Sequence, residues 1–500
     1  MCLVGAGPGD PGLITDRGLG WLRQADVVVF DALVNPVLLE QAPAGAERID
    51  VGKRAGVCAL NQDQINQLLV AKARGGRLVV RLKGGDPYVF GRGAEEMAYV
   101  ASQGLACQLV PGVTAGVAVP AAAGIAVTHR RMASTVTFVT GHEDPAKGQP
   151  SIDYRSLAGL VMTGGTVCFY MAVARLGDLA TQLRCHGLND ETPVAVIQWG
   201  TLPRQRTVRT TLARAPDDAA GLGAPAIIVV GVVAGLQEPG LDAFTNRPLF
   251  GQRVVITRAR KQALELRLML DELGAQTLEA PMIEFVPPED WSGVDEAIRA
   301  VDRYDWLVLT STNGVAALDE RLGVLGFDAR HLATVKVAVV GHATAQALRR
   351  RLGIRADLVP DRFVAESLVE TLIDRHGVAG KQFLLLQADI ARQALRRLLV
   401  AADACVDQWP VYRTTRPTVW PEHMVAALRA REVDWVTFTS ASTANHMVQW
   451  LGRDVSLLQA VKIASIGPVT SQALRRLGLS PTAEAATSDL EGLVEAMVNA

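Results

Sequence analysis

Aromatic residues make up only 5% of these 500 residues, and long apolar runs are missing. A helix that crosses a bilayer needs about 18 or more consecutive apolar residues, so no membrane span is expected. The six cysteines (Cys2, Cys58, Cys107, Cys168, Cys185 and Cys405) are scattered and form no CxxC pair. That spacing excludes a disulfide framework and fits the reduced thiols of a cytoplasm. No two of the eight histidines stand at a ligand spacing such as HxxxH, so no protein-bound metal is expected. The net charge of −1 excludes the broad basic field of a nucleic-acid or membrane-surface binder. No basic segment leading into an apolar core opens the chain, so a secretory signal is not expected and a cytoplasmic location is.

What is abundant is core-forming material, 49% hydrophobic residues, in a length that predicts three or four folding units. Short apolar strands such as VVVF (27–30), RLVVRL (77–82), VTFVTG (136–141), TVCFYM (166–171) and AIIVVG (226–231) alternate with amphipathic helices. The alternation predicts an α/β architecture with mainly parallel sheets. The stretch 235–252 carries glycines and prolines without a helical period, and a fresh strand, RVVITR (253–258), follows it.

Beyond that boundary the chain repeats itself. YDWLVLTSTNGVAAL (304–318) matches VDWVTFTSASTANHMV (433–448), and KVAVVGHATAQALRRRLGI (336–354) matches KIASIGPVTSQALRRLGLS (462–480). The offsets of 129 and 126 residues mark a duplicated half-domain rather than a short-period solenoid. FVPPED (285–290) and RTTRPTV (413–419) read as paired crossovers between the two copies. One lobe is then built from 251–284 plus about 418–500 and the other from about 291–410.

The opening MCLVGAGPGD imitates a dinucleotide fingerprint, with Asp31 placed where a ribose-binding acid would stand. Position 10 is Asp10 instead of the third glycine, and Pro8 and Pro11 flank the loop, which counts against a nicotinamide-dependent dehydrogenase. RLKGGDPYVFGRGAEE (81–96) is the strongest local signal. It is a buried strand that ends in Gly84 and Gly85, where backbone can approach a ligand, and in the Asp86 carboxylate.

GAGPGD, ADVVVFDALV (25–34), VGKRAG (51–56), RLKGGDPYVFGRG, PGVTAG (111–116), GIAVTHR (124–130), TGH (140–142), FYMA (169–172), WGT (199–201) and PAIIVVG (225–231) follow one order and spacing. In this the segment 1–240, with sub-domains of about 1–112 and 113–240, resembles the uroporphyrinogen-III C-methyltransferases of the tetrapyrrole methylase family. The resemblance implies S-adenosylmethionine as methyl donor, two methylations of uroporphyrinogen III and precorrin-2 as product. It also implies a homodimer through this half. Carried over residue by residue, it assigns donor binding to Pro8, Gly84, Gly85, Asp86, Val89, Thr114, Ala115, Met171 and Gly200. Asp31 matches the proton acceptor and Lys53 the proton donor. Arg54, Arg81, Arg92, Arg130 and Arg131 are candidates for holding a polycarboxylate substrate, and each is also readable as a solvated surface arginine. Ala172 stands where the family usually has glycine.

In the second half the polar signals are two copies of a Thr-Ser turn, at 310–314 and 439–443, and the loops GHAT (341–344) and GPVT (467–470). Each puts hydroxyls and N–H groups at a strand end and helix start, suited to anions or to plain helix capping. With ITRAR (256–260), ESLVETL (366–372) and PVYRT (410–414), the segment 251–500 resembles uroporphyrinogen-III synthases. That implies a cofactor-free cyclisation of hydroxymethylbilane with inversion of ring D in a cleft between two lobes. Tyr412 matches the tyrosine proposed to assist departure of the hydroxyl; an ordinary linker role is the alternative. Arg258, Ser311, Ser440, Ser442 and Thr470 are the carboxylate contacts it suggests. Gln387 and Ala388 occupy a place where arginine is common, for which Arg392 is a substitute. A two-lobe ligand-binding protein is the rival for this half. Since one half's product is the other's substrate, the expectation is a fused enzyme with 241–250 as its linker.

Overall fold

A computed structural model describes the chain apart from residues 53–59, 142–151, 239, 362–364, 390–393 and 418–420. Two compact units emerge: Met1–Val254 with Leu268–Thr277, and Val255–Arg267 with Leu278–Ala500.

The first unit contains two five-stranded sheets. One is built from β1 (Cys2–Gly5), β2 (Val27–Phe30), β3 (Glu47–Asp50), β4 (Val79–Lys83) and β5 (Gln108–Val110), in the order β3-β2-β4-β1-β5. Its four strand pairings are all parallel. Such a sheet is covered on both faces, which is why VVVF is apolar throughout. Val28 packs with Val4, Val80 and Leu82 on one face, while Val27, Val29 and Val79 meet Leu69 and Val100 on the other.

The second sheet of this unit uses β6 (Val136–Thr140), β7 (Thr166–Tyr170), β8 (Pro193–Gln198), β9 (Arg206–Thr211) and β10 (Ala226–Val230), in the order β6-β7-β10-β8-β9. Here the expectation of a mainly parallel sheet is corrected. Only β6 and β7 run parallel; β10 is antiparallel to both β7 and β8, and β8 to β9. The connection of residues 199–205 is too short for a parallel crossover, which takes a dozen or more residues. β8 and β9 must therefore form a hairpin.

The other two sheets carry the duplication. One joins β11 (Arg253–Ile256) and β12 (Gln276–Glu279) to the later strands β18 (Trp435–Phe438), β19 (Lys462–Ser465) and β20 (Ala483–Glu484), in the order β12-β11-β18-β19-β20. The other joins β13 (Glu284–Val286), β14 (Trp306–Leu309), β15 (Lys336–Val339), β16 (Gln382–Ala388) and β17 (Cys405–Thr415), in the order β13-β17-β16-β14-β15. The copies match in register. Trp306 pairs with Lys336 on β14 and β15, and Trp435 with Lys462 on β18 and β19. In both, the lysine ammonium lies over the indole, at 5.7 and 5.0 Å from the ring centre. The paired Pro-containing segments are hydrogen-bonded to each other: Glu284, Phe285 and Val286 pair antiparallel with Thr415, Thr414 and Arg413.

Candidate functional site

In the first unit the site lies at the carboxyl ends of the parallel strands, the usual ligand edge of an open α/β sheet. The opening loop and the GGDP loop are stitched together. Ala6 N donates to Lys83 O (2.8 Å), Gly85 N to Gly7 O (2.7 Å) and Gly7 N to Gly85 O (3.3 Å). A third loop, PGVTAG, closes on them. A Cβ on Gly5 would stand 2.5 Å from Gly112 N and 2.8 Å from Gly85 O, so only bare backbone fits at this junction.

Asp86 holds that junction in place. One of its oxygens accepts from Tyr88 N (2.8 Å) and Val89 N (3.2 Å), the other from Gly112 N (3.0 Å). Its place among the donor-binding candidates is thus that of the residue that shapes the loops. The opening loop is not a dinucleotide turn. Asp10 caps a short 3-10 turn, Pro11–Leu13, and the first α-helix starts only at Asp16.

The antiparallel sheet supplies the other wall. Asp10 N donates to Thr201 Oγ1 (3.1 Å), which joins the opening loop to the WGT turn around buried Gly200. Trp199 and Thr201 have positive φ angles of 51° and 67°, and Arg204 lies 3.5 Å above the Trp199 ring. Met171 also has a positive φ, 54°, and its side chain is 53% exposed. Pro8, Gly84, Val89, Thr114 and Ala115 are all half-buried on these loops. Thus the donor-binding candidates are gathered at one edge.

Asp31 is tied to a buried charge cluster that sequence reasoning missed. Arg81 Nη2 donates to Asp31 Oδ1 at 2.5 Å, and Lys83 Nζ lies 3.6 Å from Oδ2. Both cations also meet Glu96, which is wholly buried: Arg81 Nε at 3.3 Å and Lys83 Nζ at 3.0 Å. Gln62 adds a bond to Glu96 (3.1 Å). Two cations face two carboxylates, as burial of ions requires. Arg81 is therefore corrected as a substrate contact. It is 1% exposed and serves Asp31 and Glu96. The available signal was a strand, VVRLK, that is buried along its whole length yet contains two cations. Arg92 is exposed and fork-bonded to Glu95, and Arg130 and Arg131 are exposed. Lys53 and Arg54 lie outside the described residues.

In the second unit Ser311 and Tyr412 meet, Oγ to phenol oxygen at 3.0 Å, although 101 residues separate them. Strand β17 runs past the end of β16, with a register shift at Gln387/Ala388, and this carries Tyr412 to the helix start after β14. Phe285 packs edge-on against the Tyr412 ring (5.4 Å). Burial pushes the Tyr412 phenol up from its ordinary value, against opposing bonds from Ser311 and Asn313. It therefore stays protonated, as a hydrogen-bond donor must. Asn313 in turn accepts from Gln262 Nε2 (3.1 Å). Asn313 belongs to the Thr-Ser turn singled out in the sequence, whereas Gln262 does not stand out there.

Ser311 also caps its helix by accepting from Gly314 N (3.1 Å), and Ser440 does the same for Thr443 N (3.2 Å). The capping alternative thus holds for both serines; Ser311 Oγ also meets Tyr412, and Ser440 Oγ also donates to Thr443 Oγ1 (3.4 Å). Arg258, Ser440 and Ser442, and Thr470 follow the carboxyl ends of the adjacent strands β11, β18 and β19. Arg258 has a buried Nη1 without a hydrogen-bond partner among the described residues. Burial lowers its pKa, partly offset by Glu265. An unpaired buried guanidinium N–H is costly, and an anionic ligand at this edge would satisfy it. Arg392 lies outside the described residues.

Known proteins match the two halves of the chain separately. Residues 1–216 match the family of tetrapyrrole (corrin/porphyrin) methylases, and 265–495 match uroporphyrinogen-III synthase HemD. A porphyrin biosynthesis protein HemD of Ruminiclostridium josui is 36% identical over 96% of this chain and 94% of its own length. An S-adenosyl-L-methionine-dependent uroporphyrinogen III methyltransferase of Methanosarcina barkeri is 48% identical over 47% of this chain and 92% of its own. A uroporphyrinogen-III C-methyltransferase of Bacillus subtilis is 37% identical over 72% of this chain and 73% of its own. The chain belongs to the porphyrin-biosynthesis proteins that join a tetrapyrrole methylase to a uroporphyrinogen-III synthase, and it is a bifunctional tetrapyrrole enzyme.

Proposed function

We propose that residues 251–500 cyclise hydroxymethylbilane to uroporphyrinogen III with inversion of ring D. Residues 1–240 then methylate that product at C2 and C7 with two S-adenosylmethionine to give precorrin-2, and 241–250 link the two domains. The observation that carries this reading is the side-chain-free junction of Gly5, Gly85 and Gly112, flanked by exposed, strained Met171.

That junction fits the donor. Its backbone N–H and C=O groups and the Thr114 hydroxyl suit the polar amino-acid and ribose groups, and half-buried Val89 and Ala115 suit the adenine. When bound, S-adenosylmethionine supplies an electrophilic sulfonium methyl. The protein's part is to hold the reacting carbon in line, a gain that positioning alone supplies. It also removes the proton that the macrocycle gives up once the methyl has joined a ring carbon that carries no hydrogen of its own. Asp31 is the base for that proton, because it is the partly exposed carboxylate of the cluster while Glu96 is sealed. Arg81 fixes its orientation.

In the synthase half Tyr412 donates a hydrogen bond to the departing hydroxyl. Ser311 and Asn313 orient the phenol, and the strand ends carrying Arg258, Ser440, Ser442 and Thr470 receive the substrate's carboxylates. The two lobes are 251–284 with 418–500, and 291–410. The protein works in the cytoplasm as a homodimer through its methyltransferase half.

Hydroxymethylbilane given to the full chain without donor should yield uroporphyrinogen III; with donor, precorrin-2. Uroporphyrinogen I alone, at its spontaneous rate, would overturn the synthase assignment. Uroporphyrinogen III left unmethylated in the presence of donor would overturn the other.

A further inference from the structure

Thr114 stands at the N-cap of the helix Ala115–Ala122, yet its hydroxyl makes no capping bond. A threonine in that position ordinarily accepts from the N–H of the second or third helical residue. Here the N–H of the second residue, Gly116, is satisfied from far away: it donates to the Tyr170 phenol oxygen at 2.6 Å. The same phenol lies 2.7 Å from Thr114 Oγ1. We infer that Tyr170 is a positioning residue of the methyltransferase: it caps this helix in Thr114's stead and thereby turns the Thr114 hydroxyl into a donor toward the methyl-donor ligand.

The phenol oxygen accepts from Gly116 N–H. The contact with Thr114 Oγ1 can run either way, and the inferred role requires the phenol to be its donor. Thr114's own hydrogen then has no partner among the described residues, and the residue is half-buried at the junction of the loops. In that direction the chain of bonds runs from Gly116 through Tyr170 to Thr114 and leaves the Thr114 O–H to donate to a ligand. Burial raises the Tyr170 pKa, in keeping with a phenol that stays protonated.

The surroundings hold this ring still. Tyr170 is 8% exposed and packs edge-on against Phe90 (5.0 Å) and Phe138 (5.8 Å). Gly116 has to be glycine, because a Cβ there would run into the phenol oxygen. Tyr170 is also the neighbour of strained Met171, so one short segment sets both walls of the site.

This inference rests on the donor site proposed above, and the experiment separates the two. S-adenosylhomocysteine binding is measured by calorimetry on the full chain. If the unaltered protein does not bind it, the donor-site reading itself fails. If it binds, Tyr170→Phe, which keeps the ring and removes only the hydroxyl, should weaken binding about tenfold, the worth of one ordinary hydrogen bond. The KM for S-adenosylmethionine should rise by the same factor while kcat at saturation stays within about twofold. Thr114→Val leaves the Gly116 cap intact and should weaken binding equally, whereas Thr114→Ser should restore it. In the double variant the second change should add nothing further, since both remove one bond chain. A cooperative thermal melt of the methylase unit at its unaltered temperature, with kcat at saturation retained, reports that each variant is folded. Unchanged affinity in Tyr170→Phe or in Thr114→Val, or full additivity of the two, would overturn the role of Tyr170.

Discussion

The two units build their sites by opposite means. Among the described residues seven non-glycine residues have positive φ, and five of them (Phe90, Arg92, Met171, Trp199 and Thr201) lie in the first unit, on the loops that form its site. The two in the second unit, Asp403 and Arg431, follow the ends of helices Ala394–Ala401 and Glu422–Arg429. They precede the starts of β17 and β18, away from the strand ends that carry Ser311 and Ser440. Such backbone costs about 1–3 kcal/mol per residue and persists only where the surroundings over-determine it. The methylase site is thus a rigid cradle of backbone shaped in advance. The proposed synthase site is made of side chains on relaxed backbone: Ser311 and Asn313 at a helix start and Tyr412 within β17. The difference matches the two tasks: in-line transfer of one methyl demands fixed geometry, whereas folding a flexible linear tetrapyrrole demands adaptable contacts.

This contrast can be broken by single changes, assayed on both reactions of one chain. The largest effect should come from Asp31→Asn, which keeps an acceptor for Arg81 but cannot take a proton. Methylation of preformed uroporphyrinogen III should fall by about 10² to 10⁴, the usual worth of a general base, with cyclisation untouched. Full methylation in this variant would end the assignment of Asp31. Next comes Gly112→Ala. Its Cβ would press on Gly85 O and Gly5 Cα, and backbone cannot step aside as a side chain can. A misplacement of about 1 Å costs roughly 10²-fold, so methylation should drop by that factor while synthase turnover holds. A wild-type rate would mean that the cradle is not rigid. Tyr412→Phe should act in the other unit and more gently. Losing one hydrogen bond to a departing hydroxyl should slow uroporphyrinogen III formation about tenfold and leave methylation alone. An unchanged rate, with unchanged isomer ratio, would return Tyr412 to the role of a linker residue.

How much of this the sequence disclosed depended on range. Local patterns were legible: VVVF falls on β2, AIIVV on β10, and both copies of the Thr-Ser turn form a strand end with a serine cap. The antiparallel order of β8, β9 and β10 was not, because a continuous apolar run looks the same in either direction. Motif matching singles out Asp31 and Thr114 as candidates but not what holds them. Glu96 reads as an ordinary helix-start acid in GRGAEE, and only the fold slides it beneath β4 to Arg81 and Lys83. Arg81 looked like a surface cation for the same reason. Tyr170 carries no signal beside its neighbour Met171, since its partners Thr114 and Gly116 lie more than fifty residues away. Contacts of that separation leave no periodicity for a single sequence to display.

The smallest predicted effect probes the contrast most directly, because it concerns strain itself. Glycine adopts a positive φ freely, so Met171→Gly should relieve the strained conformation, and little packing is lost since the side chain is 53% exposed. Against the relief stands the greater freedom of glycine in the unfolded chain, about 0.4–1 kcal/mol. The balance should be a gain of about 1 kcal/mol, seen as a rise of roughly 2–4 °C in the melting of a unit this size. Arg431→Gly should give a similar gain in the second unit. The two variants should part company in function. Without its side chain Met171 no longer shapes the donor wall, so affinity for S-adenosylhomocysteine should fall several-fold as stability rises. Arg431→Gly should gain stability and keep its full synthase rate. If Met171→Gly keeps its affinity, the strain at the cradle serves no ligand, and both units place left-handed residues merely where the chain has to turn.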